Sequence, residues 1–153
     1  MKKIRIGVIG IGDISNVYLN NLKKYNDMIE ITACASRGLE KAQRKAAEHG
    51  IPKAYASGME LISDPDIDLI LNLTTPQAHY EYNLAALKAG KHVYTEKPLA
   101  MTFAEGQELV SLFRLSRVGS GFVLFRRFIL RLFHINKVLS DCQFPPGSAV
   151  PPV

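Results

Sequence analysis

Two glycines near the amino terminus, Gly10 and Gly12, have a spacing that could hold a phosphate group. They follow a β-branched apolar run at Ile4–Ile9, which favours a buried strand, and precede residues 16–25, whose apolar spacing favours a helix. Between a strand and a helix, the first glycine can make the tight turn. The second lets the backbone approach a pyrophosphate at the helix N-terminus. The third position is Ser15, which still allows fairly close helix–strand packing. Alternatively, both glycines serve an ordinary strand-to-helix turn.

A glycine turn between a strand and a helix is typical of folds that bind the dinucleotides NAD or NADP. In such folds the end of the second strand, here predicted over residues 28–35, distinguishes the two. An acidic residue at this place binds the ribose 2′-hydroxyl of NAD, whereas an arginine accommodates the 2′-phosphate of NADP. The chain has Ser36 and Arg37 there, with Lys41 one helical turn further on and no Asp or Glu at residues 35–39. We therefore expect NADP as the cofactor, with NAD as the alternative. In a competing interpretation, Arg37 is an ordinary exposed loop cation.

Strands and helices must alternate along the chain to bring these residues together. Apolar runs predict strands over residues 4–9, 28–35, 54–55, 68–73 and 92–94. Helix formers and capping signals predict helices over residues 16–25, 39–49, 59–62, 77–89 and 102–112. Gly50 and Gly90 follow two of the predicted helix ends, and Thr102 with Glu105 forms a capping box. The alternation predicts an α/β fold with a doubly wound parallel sheet.

Composition and charge divide the chain near residue 112. The 153 residues are 47% hydrophobic and 22% charged, which indicates one globular domain with or without a tail, too short for two full-sized domains. Residues 1–112 carry 13 cations and 13 anions, whereas residues 113–153 carry six cations, one anion and six of the seven phenylalanines. Because the excess charge of +5 is confined to the tail, we expect no nucleic-acid partner.

The two cysteines, Cys34 and Cys142, lie far apart in the sequence. Their separation indicates neither a disulfide scaffold nor a zinc site, so no metal centre is predicted. The apolar run at the amino terminus is too short and too interrupted for a signal peptide. We therefore expect a protein of the reducing cytoplasm.

Three motifs resemble those of a known family. They are the sequences GIGDISNVYL at residues 10–19, LNLTTPQAH at residues 71–79 and AGKHVYTEKP at residues 89–98. Together, in this order and at these separations, they resemble the N-terminal Rossmann domain of the Gfo/Idh/MocA oxidoreductases, the group of glucose–fructose oxidoreductase and inositol dehydrogenase. The similarity covers residues 3–112.

The resemblance implies a role for each matching residue. It places the pyrophosphate on Gly10, Ile11, Gly12, Asp13 and Ile14. It places the nicotinamide ribose beside Thr74, Thr75 and Pro76, with His79 near the cofactor and Glu96 beside the nicotinamide. Lys97 would be the catalytic residue that binds the reacting hydroxyl and assists proton transfer, since a partly desolvated lysine can exchange protons near neutrality. Taken without the motif, a lysine before a proline is typical of a surface loop.

Residues 113–153 cannot be aligned with the family, whose members continue into one more strand and a large α+β substrate domain. One hypothesis is that this segment is the frameshifted or aberrant end of a truncated gene, with a disordered Pro-rich finish. Another is a basic amphipathic helix with cations at Arg126, Arg127, Arg131, His134 and Lys137, which could lie on a membrane surface, bind a partner or cover an exposed apolar face. The interspersed arginines argue against a transmembrane span.

The sequence thus predicts two regions, an NAD(P)-binding domain over residues 1–112 and a non-family tail over residues 113–153. We expect the domain to belong to an oxidoreductase for sugar-like or polyol-like substrates and to be inactive without its substrate domain. An oligomer would form only through parts outside this chain. The alternatives are a cofactor-binding interaction module that its basic tail docks to a membrane surface or a partner, and a non-functional truncation product.

Overall fold

The computed structural model describes residues 3–115, with side chains to residue 113. This part of the chain contains five strands that alternate with five α-helices. The strands are β1 (Ile4–Ile9), β2 (Ile29–Ala35), β3 (Lys53–Tyr55), β4 (Leu69–Asn72) and β5 (His92–Thr95). The helices are α1 (Asp13–Leu22), α2 (Leu39–His49), α3 (Gly58–Ser63), α4 (Pro76–Lys88) and α5 (Phe103–Leu115).

The five strands form one parallel sheet in the order β3-β2-β1-β4-β5. The chain therefore reverses its direction of travel across the sheet when it passes from β3 to β4, on the other side of β1. In an open parallel sheet, ligands bind outside the carboxyl ends of the strands at such a switch point. Residues that follow β1 and β4 consequently meet at this edge of the sheet.

Two apolar layers cover the sheet, one on each face. The first packs α1 and α2 against the strands and includes the fully buried Val8, Leu19 and Ala42. The second packs α3, α4 and α5 on the opposite face and includes the fully buried Leu61 and Leu109. Burial on both faces explains why β4 and the carboxyl-terminal halves of β1 and β2 consist of consecutive buried residues rather than alternating ones. The structure confirms the predicted doubly wound parallel sheet.

Most predicted elements agree with the structure, including α2 at its full predicted length. Gly50 and Gly90, after α2 and α4, have φ of +70° and +72°, left-handed conformations in which glycine commonly ends helices. The predicted start of the first helix at residue 16 is wrong, because α1 begins at Asp13 directly after its N-cap Gly12. The glycine turn therefore continues into the helix without intervening residues.

The capping box before α5 has the predicted geometry. The Glu105 amide donates to the Thr102 hydroxyl at 3.3 Å, and the Thr102 amide donates to a Glu105 carboxylate oxygen at 3.0 Å. The helix continues to Leu115, three residues beyond its predicted end. The predictions for the tail concern a segment of which residues 116–153 lie outside the described part. Within residues 3–115, no helix is long and apolar enough to cross a bilayer.

Candidate functional site

Gly10 makes the turn after β1 in a conformation that other residues rarely adopt. Its φ is +87°, and a Cβ atom there would lie 2.5 Å from the backbone of Leu73 and from the amide nitrogen of Thr74. The Gly10 amide also donates to the carbonyl of Ala35 at 3.3 Å. Because the turn after β1 presses against the turn after β4, a side chain at this position would force them apart.

Gly12 is the N-cap of α1, and its surroundings are open. A Cβ atom at Gly12 would meet no atom within 4 Å, in contrast to Gly10. The next residue, Asp13, begins a helix of ten residues whose first amides have no partners within the helix. Open space beside free amides at a helix N-terminus is what a pyrophosphate requires, so the described residues fit this group. Asp13 and Ile14 are both exposed beside this space.

Ser15 fills the third position of the glycine pattern. Its side chain is fully buried, and its hydroxyl donates to the carbonyl of Gly12 at 2.6 Å. The hydrogen bond satisfies the buried hydroxyl and fixes the first turn of α1. The structure therefore agrees with the expectation that serine is small enough for close packing here.

A cavity of about 570 Å³ lies at this carboxyl edge of the sheet. It joins the glycine turn to the turn after β2 and to the turn after β4. Of the predicted site residues, it is lined by Gly10, Ile11, Gly12, Ser36, Arg37, Lys41, Thr74 and Thr75. Asp13, Ile14, Pro76, His79, Glu96 and Lys97 are not among the residues that line it. The cavity is thus built from the three turns in which the sequence predicted cofactor contacts.

Sequence reasoning missed part of the cavity wall. Gly58 from α3 and Ala78, Glu81 and Tyr82 from α4 also line it. The Tyr82 ring and Ile9 lie so close to Gly58 that a Cβ atom there would come within 2.6 Å and 2.8 Å of them. No local pattern marks these residues, since their place depends on how α3 and α4 pack on the sheet.

Arg37 and Lys41 are exposed cations on the cavity wall, at the end of β2 and in the first turns of α2. Within residues 3–115, neither side chain belongs to an ion pair. Two cations without acidic partners, at the mouth of a cavity, suit a ligand that carries a dianion.

The turn after β4 is fixed by a buried amide. Asn72 is fully buried, and its Nδ2 donates to the side-chain oxygen of Asn83 at 2.8 Å. Its oxygen accepts hydrogen bonds from the Thr74 amide at 3.2 Å and the Thr74 hydroxyl at 2.6 Å. Thr75 is the N-cap of α4, and Pro76 takes the first helical position, where the missing N–H has no consequence.

The loop after β5 contains Glu96 and Lys97, followed by Pro98 in a cis peptide bond. The buried Tyr18 of α1 donates its hydroxyl to the carboxylate of Glu96, whose other oxygen accepts from the Lys97 amide at 3.2 Å. Burial, together with the Glu96 carboxylate, raises the pKa of Tyr18, which therefore remains protonated as a donor. Glu96 is thereby held from α1, while Lys97 is exposed.

His79 is almost completely buried, with 1% of its surface exposed. Its Nδ1 lies 2.6 Å from the carbonyl oxygen of Pro98, and its Nε2 lies 3.0 Å from that of Thr74. The resemblance implied a position near the cofactor. The structure places the ring between two loops, behind the cavity wall rather than on it.

Comparisons with known proteins agree with this geometry. Residues 4–119 match the family model GFO_IDH_MocA, described as an oxidoreductase family with an NAD-binding Rossmann fold. The chain belongs to this family. The resemblance derived from the three motifs is thereby confirmed, although the match extends to residue 119, beyond the expected end at residue 112. The described domain is the family's nicotinamide-dinucleotide-binding Rossmann domain.

Several oxidoreductases and dehydrogenases are similar to this chain. Trans-1,2-dihydrobenzene-1,2-diol dehydrogenase of Xenopus tropicalis is 37% identical over 146 residues, which are 90% of this chain and 44% of the relative. An NAD binding oxidoreductase from Klebsiella pneumoniae is 34% identical, with a TM-score of 0.71 over 76% of this chain and 32% of that structure.

The 3-ketoreductase KijD10 of Actinomadura kijaniata, solved with TDP-benzene and NADP, is 32% identical with a TM-score of 0.69. That match covers 75% of this chain and 36% of the other. The chain therefore spans less than half the length of each of these relatives.

Proposed function

We propose that this domain binds NADP(H) in preference to NAD(H). The observation that carries the proposal is the position of Arg37 and Lys41, which line the same cavity as the glycine turn and have no acidic partner within residues 3–115. The absence of Asp or Glu at residues 35–39 supports it, because NAD-selective sites use a carboxylate there. The family includes relatives named for NAD and relatives solved with NADP, so this choice must come from the chain's own residues.

Each cavity wall has a proposed role toward the dinucleotide. The amides that follow Gly10 and Gly12 would bind the pyrophosphate, and the guanidinium of Arg37 would pair with the 2′-phosphate through two N–H groups. The turn at Thr74 and Thr75 would hold the nicotinamide ribose. When bound, the nicotinamide supplies a carbon that accepts or donates hydride.

We further propose that the intact oxidoreductase acts on sugar-like or polyol-like substrates, with Lys97 binding the reacting hydroxyl and moving its proton. Lys97 is exposed in the described residues, next to a Glu96 carboxylate that is fixed from α1, so the partial desolvation that this role requires would come from the substrate domain. Because the chain spans less than half of its relatives, we infer that residues 1–112 bind cofactor and that the substrate site needs residues beyond this chain. The 153-residue chain would then bind NADPH without turning over substrate.

Thermal unfolding of the full chain with and without NADP or NAD tests the cofactor preference. A ligand that binds only the folded state raises stability by RT ln(1 + [L]/Kd). We expect a larger rise in the unfolding midpoint with NADP than with NAD, and the loss of that difference in Arg37→Gln. The matched control is Arg44→Gln, an exposed arginine on α2 that does not line the cavity. An equal or larger rise with NAD in the wild type would overturn the preference for NADP.

A further inference from the structure

His79 has an environment that differs from that of the cavity residues. It is the fourth residue of α4, and its ring lies behind the turn that contains Thr74. Both ring nitrogens lie within hydrogen-bond distance of backbone carbonyl oxygens, one from Pro98 and one from Thr74. The two carbonyls belong to different loops, one after β5 and the other after β4.

The chemistry of these contacts fixes the direction of donation. A carbonyl oxygen only accepts, so wherever a hydrogen bond forms here the imidazole is its donor. A neutral ring carries one N–H and donates to one carbonyl, whereas a doubly protonated ring donates to both. In either form the ring lies between the two loops and contacts backbone carbonyls of residues outside the strands and helices.

A second residue of the same helix repeats this arrangement. Asn83 lies one turn after His79 and is also fully buried. Its Nδ2 lies 3.4 Å from the carbonyl of Leu99, in the loop after β5, and its side-chain oxygen accepts from Asn72 at the end of β4. One buried polar stripe on α4 therefore contacts both loops.

The two loops contain residues with different proposed tasks. Thr74 lines the cavity and belongs to the turn that would hold the nicotinamide ribose. Pro98 directly follows Lys97, whose backbone is thereby one residue from the carbonyl that His79 contacts. A packing role alone would suit an apolar side chain, because a buried polar ring is unfavourable unless its nitrogens find partners. Here the partners found are the loops on either side.

We propose that His79 is a positioning residue that couples the two loops, so that filling the cavity beside Thr74 and Thr75 fixes the orientation of the Lys97 loop. The inference rests on the proposed function, because it needs a cofactor in the cavity. In this proposal, α4 couples cofactor binding at the turn after β4 to the conformation of the loop after β5, which contains the proposed catalytic Lys97.

Hydrogen–deuterium exchange of the full chain, with and without saturating NADPH, tests the coupling. In the wild type, we expect NADPH to slow amide exchange both in residues 73–76 and in residues 96–101, the latter by on the order of tenfold. His79→Gln keeps a polar side chain, but its single amide nitrogen cannot reach both carbonyls. In that variant, at equal occupancy, we expect slowing at residues 73–76 to persist and slowing at residues 96–101 to fall below about twofold.

Two further variants keep the result interpretable. His92→Gln is the matched control, since His92 begins β5 at the opposite edge of the sheet, and we expect it to behave as the wild type. His79→Asn, with a shorter side chain, replaces His79→Gln if the latter fails to give a cooperative thermal transition. If His79 had only a structural role, its substitution would speed exchange in both segments with and without NADPH. The ratio of the exchange rates without and with NADPH at residues 96–101 would then stay as in the wild type.

The outcomes separate the coupling from the proposed function. If NADPH binds to the wild type but leaves residues 96–101 unchanged, or if the His79 variants keep the full slowing there, the coupling is wrong and the proposed function stands. If neither NADPH nor NADP binds to the wild type, the proposed function fails and the coupling fails with it. Retained binding together with selective loss of slowing at residues 96–101 supports the proposal.

Discussion

Charged side chains at the two edges of the sheet differ in whether they have partners. At the amino edge, where the strands begin, Arg5 pairs with Asp68 at 2.9 Å and Lys53 pairs with Asp64 at 2.9 Å. At the carboxyl edge, Arg37 and Lys41 take part in no ion pair that the structure describes within residues 3–115. Among the described residues, the same sheet therefore has ion-paired charges at one edge and, in Arg37 and Lys41, exposed cations outside any ion pair at the other.

Lys91 extends the contrast at the amino edge. Its ammonium is buried and donates to the carbonyls of Asp64 and Ile67, each at 2.7 Å. Burial lowers the pKa of Lys91, while the carboxylates of Asp64 and Asp68 act in the opposite direction. A substitution at the amino edge should therefore change stability and leave cofactor affinity unchanged, and the reverse should hold for exposed side chains at the carboxyl edge.

The largest expected effect is at Gly10, whose backbone packs against the turn after β4 and also lines the cavity proposed to bind the cofactor. Gly10→Ala introduces a Cβ atom 2.5 Å from backbone atoms of Leu73. It also places alanine at a φ of +87°, which residues other than glycine rarely adopt. We expect a loss of at least about 3 kcal/mol in the free energy of unfolding, measured by urea denaturation, since strained backbone alone amounts to about 1–3 kcal/mol. NADPH affinity should fall by at least about tenfold in a fluorescence titration, because the glycine turn is displaced.

Gly106→Ala is the control for Gly10→Ala. Gly106 lies within α5, has an ordinary φ, and has no atom within 4 Å of its Cβ position. Alanine favours a helix over glycine by about 1 kcal/mol, so stability should rise slightly. If both alanine variants had the same stability, the close contact between the turns after β1 and β4 would not matter.

The next effect concerns the amino edge alone. Asp64 is buried, which raises its pKa, but hydrogen bonds from Lys53, the Asp66 amide and Tyr55 outweigh burial and lower the pKa from 3.8 to about 2. Asp64→Asn should reduce the free energy of unfolding by about 2 kcal/mol at neutral pH. NADPH affinity should stay within about twofold of the wild type, because the carboxylate lies at the other edge.

The same shift predicts a pH dependence with a defined sign. Because the folded-state pKa of Asp64 is depressed, its contribution is fully present above its ordinary pKa of 3.8 and is lost as the pH falls through about 2. Urea denaturation from neutral pH to acid should show a steeper loss in this window for the wild type than for Asp64→Asn. Asp66→Asn, at a side chain that is 61% exposed, is the control, and its pH curve should differ from that of the wild type much less than the curve of Asp64→Asn does. Parallel pH curves for the wild type and Asp64→Asn would contradict the assignment.

Local patterns in the sequence were sufficient for the strands, for α2 and for the three turns of the cavity. Each depends on residues that are neighbours in the chain, such as the run Ile4–Ile9 or the Gly50 that ends α2. The start of α1 was misplaced because Gly12 serves at once as the end of the glycine turn and as the helix N-cap. Because Gly12 was already assigned to the turn, no further residue in the sequence marked the helix N-cap.

The remaining parts of the site depend on contacts between residues that are distant in the sequence. Glu81 and Tyr82 reach the cavity because α4 packs against α3, β4 and β5, which no local spacing reveals. The ion pairs at the amino edge likewise depend on the order of the strands. For His79, the motif indicated a neighbourhood, and only the structure shows the two loop carbonyls beside its ring.

Lys41 provides a smaller effect at the carboxyl edge. Lys41→Met removes one of the two cations beside the proposed 2′-phosphate, and we expect NADPH affinity to fall by about tenfold, with unchanged NADH affinity and stability. Added salt should reduce the preference for NADPH, because exposed charges are screened. Lys88→Met, at the far end of α4, is the matched control and should leave both affinities unchanged. Equal losses for NADPH and NADH in Lys41→Met would place Lys41 elsewhere on the dinucleotide.

The smallest effect tests whether a buried side chain at the carboxyl edge follows the rule for that edge. Ser15 is fully buried and donates to the Gly12 carbonyl at 2.6 Å, so it should behave like an amino-edge residue despite its position. Ser15→Ala should lose about 1 kcal/mol of unfolding free energy, the usual contribution of one hydrogen bond, with NADPH affinity within about twofold. A large loss of affinity at unchanged stability would show that burial does not decide the role, and that position at the carboxyl edge alone assigns a side chain to the ligand.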